Sequence, residues 1–307
     1  MRVRFGPRVV AALPLLLIAA SCVPPAAPVS AEPAAAADVP ASAPQPATEV
    51  PMTYGTFLLF GKPQQGGILT GQAPRGAQQV TFNGLAVPLA ADGQFLIAFD
   101  RDAPATAQLV AIFADGRRIE HPIAVAAGSW RIEHVNAPWR GGAASDAEFQ
   151  RRRPAELAQI KAARAVDHDS DGWRQSFRWP ATGRLSGFFG SQRVYQGKPG
   201  AYHSGTDIAV PAGTPFYAPA DGVVVLAAAT PFTLEGNLLM IDHGMGLNSA
   251  FLHCQHLEVK VGDRVVQGQR LGTTGSTGRA TGPHLHWGLK WRDARLDPGT
   301  LAGPMPR

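Results

Sequence analysis

Cysteine is scarce in this 307-residue chain, which contains two, Cys22 and Cys254. Because Cys22 falls at the end of the N-terminal leader, Cys254 has no partner in the mature chain, and a disulfide framework is excluded. Cys254 follows His253, but adjacent residues on a strand point to opposite faces, which argues against a Cys/His nucleophile pair. We interpret Cys254 as a small buried apolar residue.

Long apolar runs are also scarce. The run in residues 9–20 has about a dozen residues, whereas a permanent membrane span needs roughly 20. It follows the positively charged segment 1–8 and is typical of a signal-peptide core. We therefore predict a signal peptide in residues 1–21 and an exported protein that faces a bacterial cell wall, either periplasmic or anchored to a membrane.

The end of the leader allows two forms of the mature protein. Ala19-Ala20-Ser21-Cys22 resembles a bacterial lipobox, although Ala19 stands where leucine is preferred. Val29-Ser30-Ala31 is an ordinary small-residue cleavage site that would release a soluble protein. We expect lipidation at Cys22, which would anchor the chain to a membrane surface without a spanning helix, and keep cleavage after Ala31 as the alternative.

A strong charge of one sign is missing as well. The formal net charge is +5, but removal of Arg2, Arg4 and Arg8 with the leader lowers the Lys and Arg count from 28 to 25 against 23 acidic residues, or about +2. No Lys- and Arg-rich stripe with interleaved aromatic residues occurs, so the sequence predicts no nucleic-acid binding. A mildly basic protein would suit an anionic polymer such as a cell wall.

The composition changes along the chain and predicts separate segments. Residues 22–51 are almost wholly Ala, Pro, Val and Ser, which cannot bury enough apolar surface to fold, so we predict a disordered tether. Residues 52–138 contain short β-type runs at regular spacing, with a hairpin signal at Asn83-Gly84. We predict a small antiparallel β-sandwich there, with an immunoglobulin-like arrangement as the candidate. It would serve as a spacer or, alternatively, as a wall-binding module.

A short kinked helical linker is predicted in residues 139–172. Ser145-Asp146-Ala147-Glu148 has a capping-box pattern, and the helical segment that it begins extends to about Ala165. Pro154 lies inside this segment and is expected to kink it or to split it into a turn and a helix, with Leu157 and Ile160 on one face.

The next segment, residues 173–300, is rich in glycine-bounded β-type runs, and a short tail, 301–307, follows it. Within it, His284 and His286 are two residues apart. In an extended strand such residues project from the same face, so both imidazoles point into one site.

A second motif supplies partners for these histidines. His203 and Asp207 bring an imidazole and a carboxylate about eighty residues earlier, and we expect Gly205 between them to allow a tight backbone bend. Two histidines and one carboxylate suit Zn²⁺ with a fourth position open for water, which is the usual arrangement of a catalytic site.

Five motifs in order extend this pattern. They are HSGTD at 203–207, AVPAGTPFYAPADGVV at 209–224, FLHCQH at 251–256, VGDRVVQGQRLGTTGSTG at 261–278 and GPHLHW at 282–287. Through them residues 177–297, about two-fifths of the chain, resemble the M23 family of zinc metallopeptidases, the lysostaphin- and LytM-like peptidoglycan endopeptidases. The resemblance implies an antiparallel β-sheet metallopeptidase domain with a groove for the substrate peptide, in a protein that is mainly β.

The resemblance also implies roles for five residues. His203, Asp207 and His286 would be the ligands of one Zn²⁺, and His284 and His253 the catalytic histidines beside it. His284 would take a proton from the attacking water and hand it to the leaving amine, and His253 would donate a hydrogen bond to the oxyanion. Which histidine does which stays open. The predicted function is zinc-dependent hydrolysis of peptide bonds in the stem or cross-bridge peptides of peptidoglycan.

Three further residues and one alternative function complete the expectations. Tyr195, Lys198 and Tyr202, in the loop before the metal motif, are predicted substrate contacts. The alternative function is a catalytically silent module that binds the wall or activates a separate amidase. Relatives of that kind have lost metal ligands, whereas all five positions are intact here. A β-rich adhesive lipoprotein would leave the histidines unexplained.

Overall fold

The computed structural model describes residues 52–54, 57–138 and 146–306. The predicted signal peptide 1–21 and tether 22–51, with Cys22, lie outside these residues. Within the described ranges, every helix is too short or too polar to be a candidate for a bilayer span.

Eight strands form the β-sandwich predicted for residues 52–138. They are β1 (Met52–Tyr54), β2 (Phe57–Phe60), β3 (Ile68–Gln72), β4 (Ala77–Phe82), β5 (Leu85–Val87), β6 (Gln94–Ala98), β7 (Thr106–Phe113) and β8 (Arg118–Ala124). One sheet has the order β1-β2-β3-β6 and the other β5-β4-β7-β8, and all pairings within them are antiparallel. In β2, Phe57 and Leu59 are fully buried and the alternate residues are exposed, as the two-residue period of a strand requires. The predicted antiparallel β-sandwich is confirmed.

The hairpin between β4 and β5 follows the turn signal in the sequence. Asn83 and Gly84 have φ angles of 47° and 80°. A two-residue type I′ turn needs positive φ at both positions, which Asn and Gly tolerate better than other residues. The turn therefore fixes the register of β4 and β5, in which Phe82 pairs with Leu85.

A single helix, α1 (Ala147–Arg164), follows the sandwich. Its N-cap is Asp146, whose carboxylate accepts hydrogen bonds from two backbone N–H groups in the first turn, so the cap lies one residue after the Ser145 of the predicted capping box. The expected split at Pro154 is wrong, because the helix continues through this residue. Leu157 and Ile160, three residues apart on this continuous helix, differ in burial: Ile160 is buried and Leu157 is exposed.

Tertiary contacts hold α1 together despite its proline. Arg153 donates two hydrogen bonds to Glu235, and the buried Glu156 carboxylate accepts hydrogen bonds from the backbone and hydroxyl of Thr233. Ile160 packs into an apolar cluster with residues of the C-terminal sheet. A proline inside a helix costs about 3 kcal/mol, and these contacts offset that cost.

The C-terminal part is built on an eight-stranded sheet. The strands that follow the sandwich are β9 (Ile132–Val135), β10 (Arg184–Gly187), β11 (Gln192–Tyr195), β12 (Lys198–Pro199), β13 (Thr206–Ala209), β14 (Pro215–Tyr217), β15 (Gly222–Ala227), β16 (Asn237–Asp242), β17 (Leu247–Cys254), β18 (His256–Leu257), β19 (Arg264–Val265), β20 (Arg270–Thr273), β21 (Leu285–Trp291) and β22 (Ala294–Leu296), with a 3-10 turn at Gly172–Arg174 and a short helix, α2 (Gly299–Ala302). The large sheet has the order β10-β13-β21-β17-β16-β15-β19, with β22 on β21, and β14, β20 and β18 form a smaller sheet. The predicted mainly β architecture is confirmed.

The sandwich and the C-terminal sheet are in contact. Strand β9 pairs in parallel with β11 of the C-terminal part. The Phe82 ring meets Trp291 edge to face, with 6.1 Å between centroids, and Arg174 forms an ion pair with Asp92. The sandwich therefore packs against the large C-terminal sheet, and the boundaries at 138 and 173 stay predictions.

His243 lies in the core of the C-terminal part and is completely buried. Its Nδ1 donates to the Asp221 carbonyl at 2.7 Å, and its Nε2 accepts from the Ser249 hydroxyl at 2.8 Å. Trp287 Nε1 in turn donates to the same hydroxyl. The network satisfies a neutral imidazole, and burial lowers the pKa of His243 to about 4.

This histidine is expected to make the protein less stable in acid. The unfolded chain binds a proton at His243 below about pH 6.5, whereas the folded chain does so only near pH 4, so the free energy of unfolding falls as the pH drops through this window, by roughly 3 kcal/mol. Urea unfolding at pH 7 and pH 4.5, with chelator present, measures the change. His243→Gln is the comparison, and equal losses in both proteins would contradict the expectation.

Candidate metal centre

Strand pairing brings two of the predicted ligands together. Asp207 on β13 lies directly opposite His286 on the neighbouring β21. On β21 the side chains alternate, so Leu285 and Trp287 enter the core while His286 points to the other face. His203 reaches the same place from the loop before β13.

The three side chains converge on one point. His286 Nδ1 is 2.9 Å from Asp207 Oδ1, His203 Nε2 is 3.1 Å from the same oxygen, and the two nitrogens are 3.1 Å apart. Tetrahedral coordination with bonds of 2.0–2.1 Å places ligand atoms roughly 3.3 Å apart. The triangle is within a few tenths of an ångström of this spacing, so these residues fit a divalent metal ion.

The carboxyl group of Asp207 is ionised, as a metal ligand must be. Burial alone would raise the pKa of Asp207, but the neighbouring imidazoles of His203 and His286, which are positively charged when protonated, outweigh it and hold that pKa far below its usual range. Burial lowers the pKa of His286. His203 donates from Nδ1 to the Phe188 carbonyl at 3.2 Å, which leaves Nε2 free to bind a metal. The site therefore offers a carboxylate and two imidazole nitrogens.

Gly205 of the HSGTD motif lies at a bend of the chain, and close packing explains why a glycine stands there. Gly205 is absent from the described residues with positive φ. A Cβ atom at this position would lie 2.6 Å from His286 Nε2 and 2.5 Å from the Trp287 carbonyl oxygen. Only a residue without a side chain lets the loop pass behind the His286 ring.

The two predicted catalytic histidines lie beside the triangle. His284 Nε2 is 3.7 Å from Asp207 Oδ1, and the ring centroids of His284 and His253 are 4.8 Å apart. His284 Nδ1 donates to the Gly282 carbonyl, and His253 Nδ1 to the Thr277 carbonyl. Burial lowers the pKa of His253 to about 4, so its ring is neutral at pH 7. Its only proton is on Nδ1, and its Nε2 is an acceptor.

Comparison with known proteins identifies the family. Residues 201–298 match the model of peptidase family M23. A crystal structure assigned to peptidase M23 from Pseudomonas aeruginosa is 30% identical, with a TM-score of 0.62, over 79% of this chain and 96% of that one. This chain belongs to peptidase family M23.

Two curated relatives share the M23 part of the chain. Peptidoglycan DD-endopeptidase ShyA of Vibrio cholerae is 42% identical over 127 residues, which is 40% of this chain and 29% of that protein. ShyC of the same organism is 43% identical over 102 residues, or 33% of this chain and 23% of that protein. This M23 chain therefore spans less than a third of the length of these relatives.

The predicted substrate contacts lie on the hairpin of β11 and β12 and in the loop that leads from it to His203. Tyr195 and Lys198 are paired opposite each other on the hairpin of β11 and β12. Tyr202 lies between two guanidinium groups: those of Arg101 and Arg295 are 4.7 and 5.4 Å from its ring centroid, and Arg295 donates to its hydroxyl at 3.3 Å. These contacts give Tyr202 a packing role that the sequence analysis did not foresee.

Arg101 of the sandwich supports the loop that carries His203. It is 6% exposed and donates to the Gly190 carbonyl from two nitrogens, at 3.0 and 3.2 Å, and to Gln192 at 3.1 Å. Gly190 N–H in turn donates to the His203 carbonyl. The partners of Arg101 are about ninety positions away in the chain, so no local sequence signal could have revealed this link.

Replacement of Arg101 is expected to weaken metal binding while the protein stays folded. Loss of a direct hydrogen-bond partner of a metal ligand typically costs about 10- to 100-fold in affinity. Arg101 acts one step further out, through Gly190, so we expect a loss at the lower end of this range, about 10-fold, for Arg101→Gln. Competition with a chromogenic chelator measures the affinity. Arg117→Gln, which changes an exposed arginine of the same sandwich, is the matched control. Equal affinities in both variants would refute a positioning role.

Proposed function

We propose that this protein is a zinc-dependent endopeptidase that hydrolyses peptide bonds in the stem or cross-bridge peptides of peptidoglycan. One observation carries the proposal: three donor atoms form a triangle of 2.9–3.1 Å beside two imidazoles whose Nε2 atoms are acceptors. A structural zinc would be closed by a fourth side chain, whereas three ligands leave room for water. Family membership and the DD-endopeptidase names of the relatives support the same class.

The residues that would hold Zn²⁺ are His203, Asp207 and His286. When bound, the ion polarises the scissile carbonyl and lowers the pKa of water. An imidazole and carboxylate donor set is the one that zinc uses in catalytic sites of this kind, and softer thiolate ligands are not part of the triangle.

We assign proton transfer to His284. Its Nδ1–H is engaged with the Gly282 carbonyl, so its Nε2 lone pair is available and lies next to the triangle. From there it would take a proton from the attacking water and, once protonated, pass it to the leaving amine.

The protonation state of His253 differs from the one that the expected role requires. A neutral ring with its proton on Nδ1 has no Nε2–H to offer to an oxyanion. We therefore assign it to accept a hydrogen bond from the attacking water, so that a water lone pair is directed at the carbonyl carbon. The backbone of His253 has a φ of 63°, in the left-handed region that is strained for residues other than glycine. Such strained residues are common at functional sites.

Digestion of purified sacculi tests the proposed function. We expect metal-loaded protein to release soluble muropeptides, and mass analysis of their new termini to identify the scissile bond. A chelator should stop the release, and added Zn²⁺ should restore it. If folded, metal-loaded protein releases nothing but stimulates a wall amidase, the silent regulatory module would be the better description.

We also propose that the protein is exported and faces the cell wall, with Cys22 lipidated. The signal-peptide pattern and the cell-wall names of the relatives support export. Mass spectrometry of the mature N-terminus distinguishes the two forms. A chain that begins at an acylated Cys22 agrees with the proposal, and one that begins near Glu32 without lipid rules out the anchor.

A further inference from the structure

A cavity of about 250 Å³ lies between α1 and the face of β21 that carries His286. At one end it is lined by Ser204 and His286, beside the metal centre. At the other end it is lined by Arg164, Lys290 and Arg295, which we call the cationic cluster. The cavity therefore adjoins the metal centre at His286 and also contains three positively charged side chains that the proposed mechanism does not use.

Strand pairing sets the geometry of the cationic cluster. Lys290 is four residues after His286 on β21, and residues at i, i+2 and i+4 share one face of a strand. At about 3.3 Å per residue, the two Cα atoms are roughly 13 Å apart. Gly288 lies between them and leaves the path free of a side chain. Arg295 is directly opposite Lys290 on β22, and Asn248 is opposite it on β17.

Nearby acidic groups do not balance this charge. Among the described residues that line the cavity, Glu235 is the acidic one, and Arg153 already occupies it with hydrogen bonds of 2.6 and 2.8 Å. Lys290 has an ion pair with Asp293 at 3.4 Å, but Asp293 is fully exposed and such pairs contribute little. The C-terminal end of α1 adds only about half a negative charge. Like charges directly opposite each other, as in Lys290 and Arg295, are destabilising in a sheet.

Two buried polar atoms at the cationic-cluster end of the cavity lack a hydrogen-bond partner among the described residues. Arg164 Nε and Asn248 Oδ1 are buried and make no hydrogen bond with the described part of the chain. If the Asn248 side-chain amide is flipped, its NH₂ group takes the position of Oδ1 and becomes the unpaired donor. Burial and the neighbouring Arg295 lower the pKa of Arg164, and burial and Arg164 lower that of Lys290. Among the described residues no acceptor meets Arg164 Nε, and a bound anion would supply one.

We propose that the cationic cluster binds a carboxylate of the substrate, in a subsite roughly 13 Å along β21 from the metal centre. Arginine and lysine bind carboxylates through charge-assisted hydrogen bonds, and an extended peptide covers this distance in three to four residues. The proposal rests on the proposed function and adds a specificity: the enzyme selects peptides with a free carboxylate at that distance from the scissile bond. The carboxylate can be that of a side chain or of the peptide C-terminus.

Matched synthetic peptides test the subsite and separate the two sources. One peptide has both carboxylates free, one has only the side-chain carboxylate amidated, and one has only the C-terminus amidated. We expect amidation of the bound carboxylate to lower kcat/KM about 10- to 100-fold, and amidation of the other to have little effect. Equal rates on all three peptides would overturn the subsite while leaving the proposed function intact.

Variants locate the effect in the cationic cluster. Lys290→Gln and Arg295→Gln are expected to remove most of the preference for the free carboxylate. Arg295 is exposed, so its variant keeps the test valid if Lys290→Gln does not fold. Lys260→Gln, which changes an exposed lysine outside the cavity, should keep the full preference. A preference that survives both cluster variants would place the specificity elsewhere.

Peptide binding tests the proposed subsite independently of hydrolysis. His284→Ala protein, which keeps all three proposed metal ligands, is titrated with the free and the amidated peptides by calorimetry. We expect at least about tenfold tighter binding of the free carboxylate form. If wild-type protein cleaves none of the peptides, the proposed function fails, and this difference in affinity still tells whether the subsite exists.

Discussion

Asp207→Asn is expected to lower metal affinity by more than about 100-fold and to abolish hydrolysis of peptidoglycan. Loss of a hydrogen-bond partner outside the ligand triangle already lowers metal affinity about 10- to 100-fold, and loss of a ligand should lower it further. Asp207 supplies the only carboxylate oxygen of the triangle, and this oxygen is 3.1 Å from His203 Nε2 and 2.9 Å from His286 Nδ1. An asparagine keeps the shape but loses the negative charge. Metal content after dialysis, measured by inductively coupled plasma mass spectrometry, and release of soluble muropeptides are the two readouts.

A matched control removes an acid of the same module away from the site. Asp263 forms an exposed ion pair with Lys260, and Asp263→Asn should keep both metal and activity. Retention of metal and full activity by Asp207→Asn would exclude the proposed ligand set.

His284→Ala is expected to separate catalysis from metal binding. Because this residue is outside the triangle, the metal content should be unchanged, whereas kcat should fall by about 100- to 10,000-fold through loss of the proton-transfer group. Steady-state kinetics on a muropeptide, together with metal analysis of the same sample, gives both quantities. His256→Ala, an exposed histidine on β18, is the control and should behave like wild type.

Two results would count against this assignment. Loss of metal from His284→Ala, as in Asp207→Asn, would make His284 a ligand. Unchanged kcat would transfer the proton-transfer role to His253, whose ring lies next to it.

The sandwich has a closer relation to the site than a spacer requires. A spacer needs no contacts with the module that it positions, yet Arg101 reaches the His203 loop and β9 pairs with β11. These contacts suggest that the sandwich supports the active-site loop directly. The Arg101→Gln experiment measures how much of the metal affinity depends on this support.

Much of the fold followed from local patterns in the sequence. The alternation in Phe57–Phe60 and in Leu285–Trp291 determines which side chains are buried, since a strand has a strict two-residue period. Asn83-Gly84 defined a hairpin because few residues accept positive φ at two successive positions. The same alternation put His284 and His286 on one face, and the spaced motifs named the other partners of the site.

Other features depended on residues far apart in the chain. Pro154 remains inside α1 because Glu156 and Arg153 are held by residues near position 235, which local propensity cannot anticipate. Gly205 is required by the His286 ring behind it, about eighty residues away. The contacts of Arg101, the pairing of β9 with β11 and the assembly of the cationic cluster all join segments that are far apart in the sequence.

The sequence by itself thus determined the strands, the hairpin and the chemical identity of the proposed metal ligands, because each depends on neighbours within a few residues or on a recognisable motif. Only the tertiary structure decided what surrounds those side chains. Strand register placed Asp207 opposite His286, backbone carbonyls assigned the protons of His284 and His253, and α1 closed a cavity over Lys290. Register, protonation and enclosure are long-range properties, and they decide how the M23 residues can act.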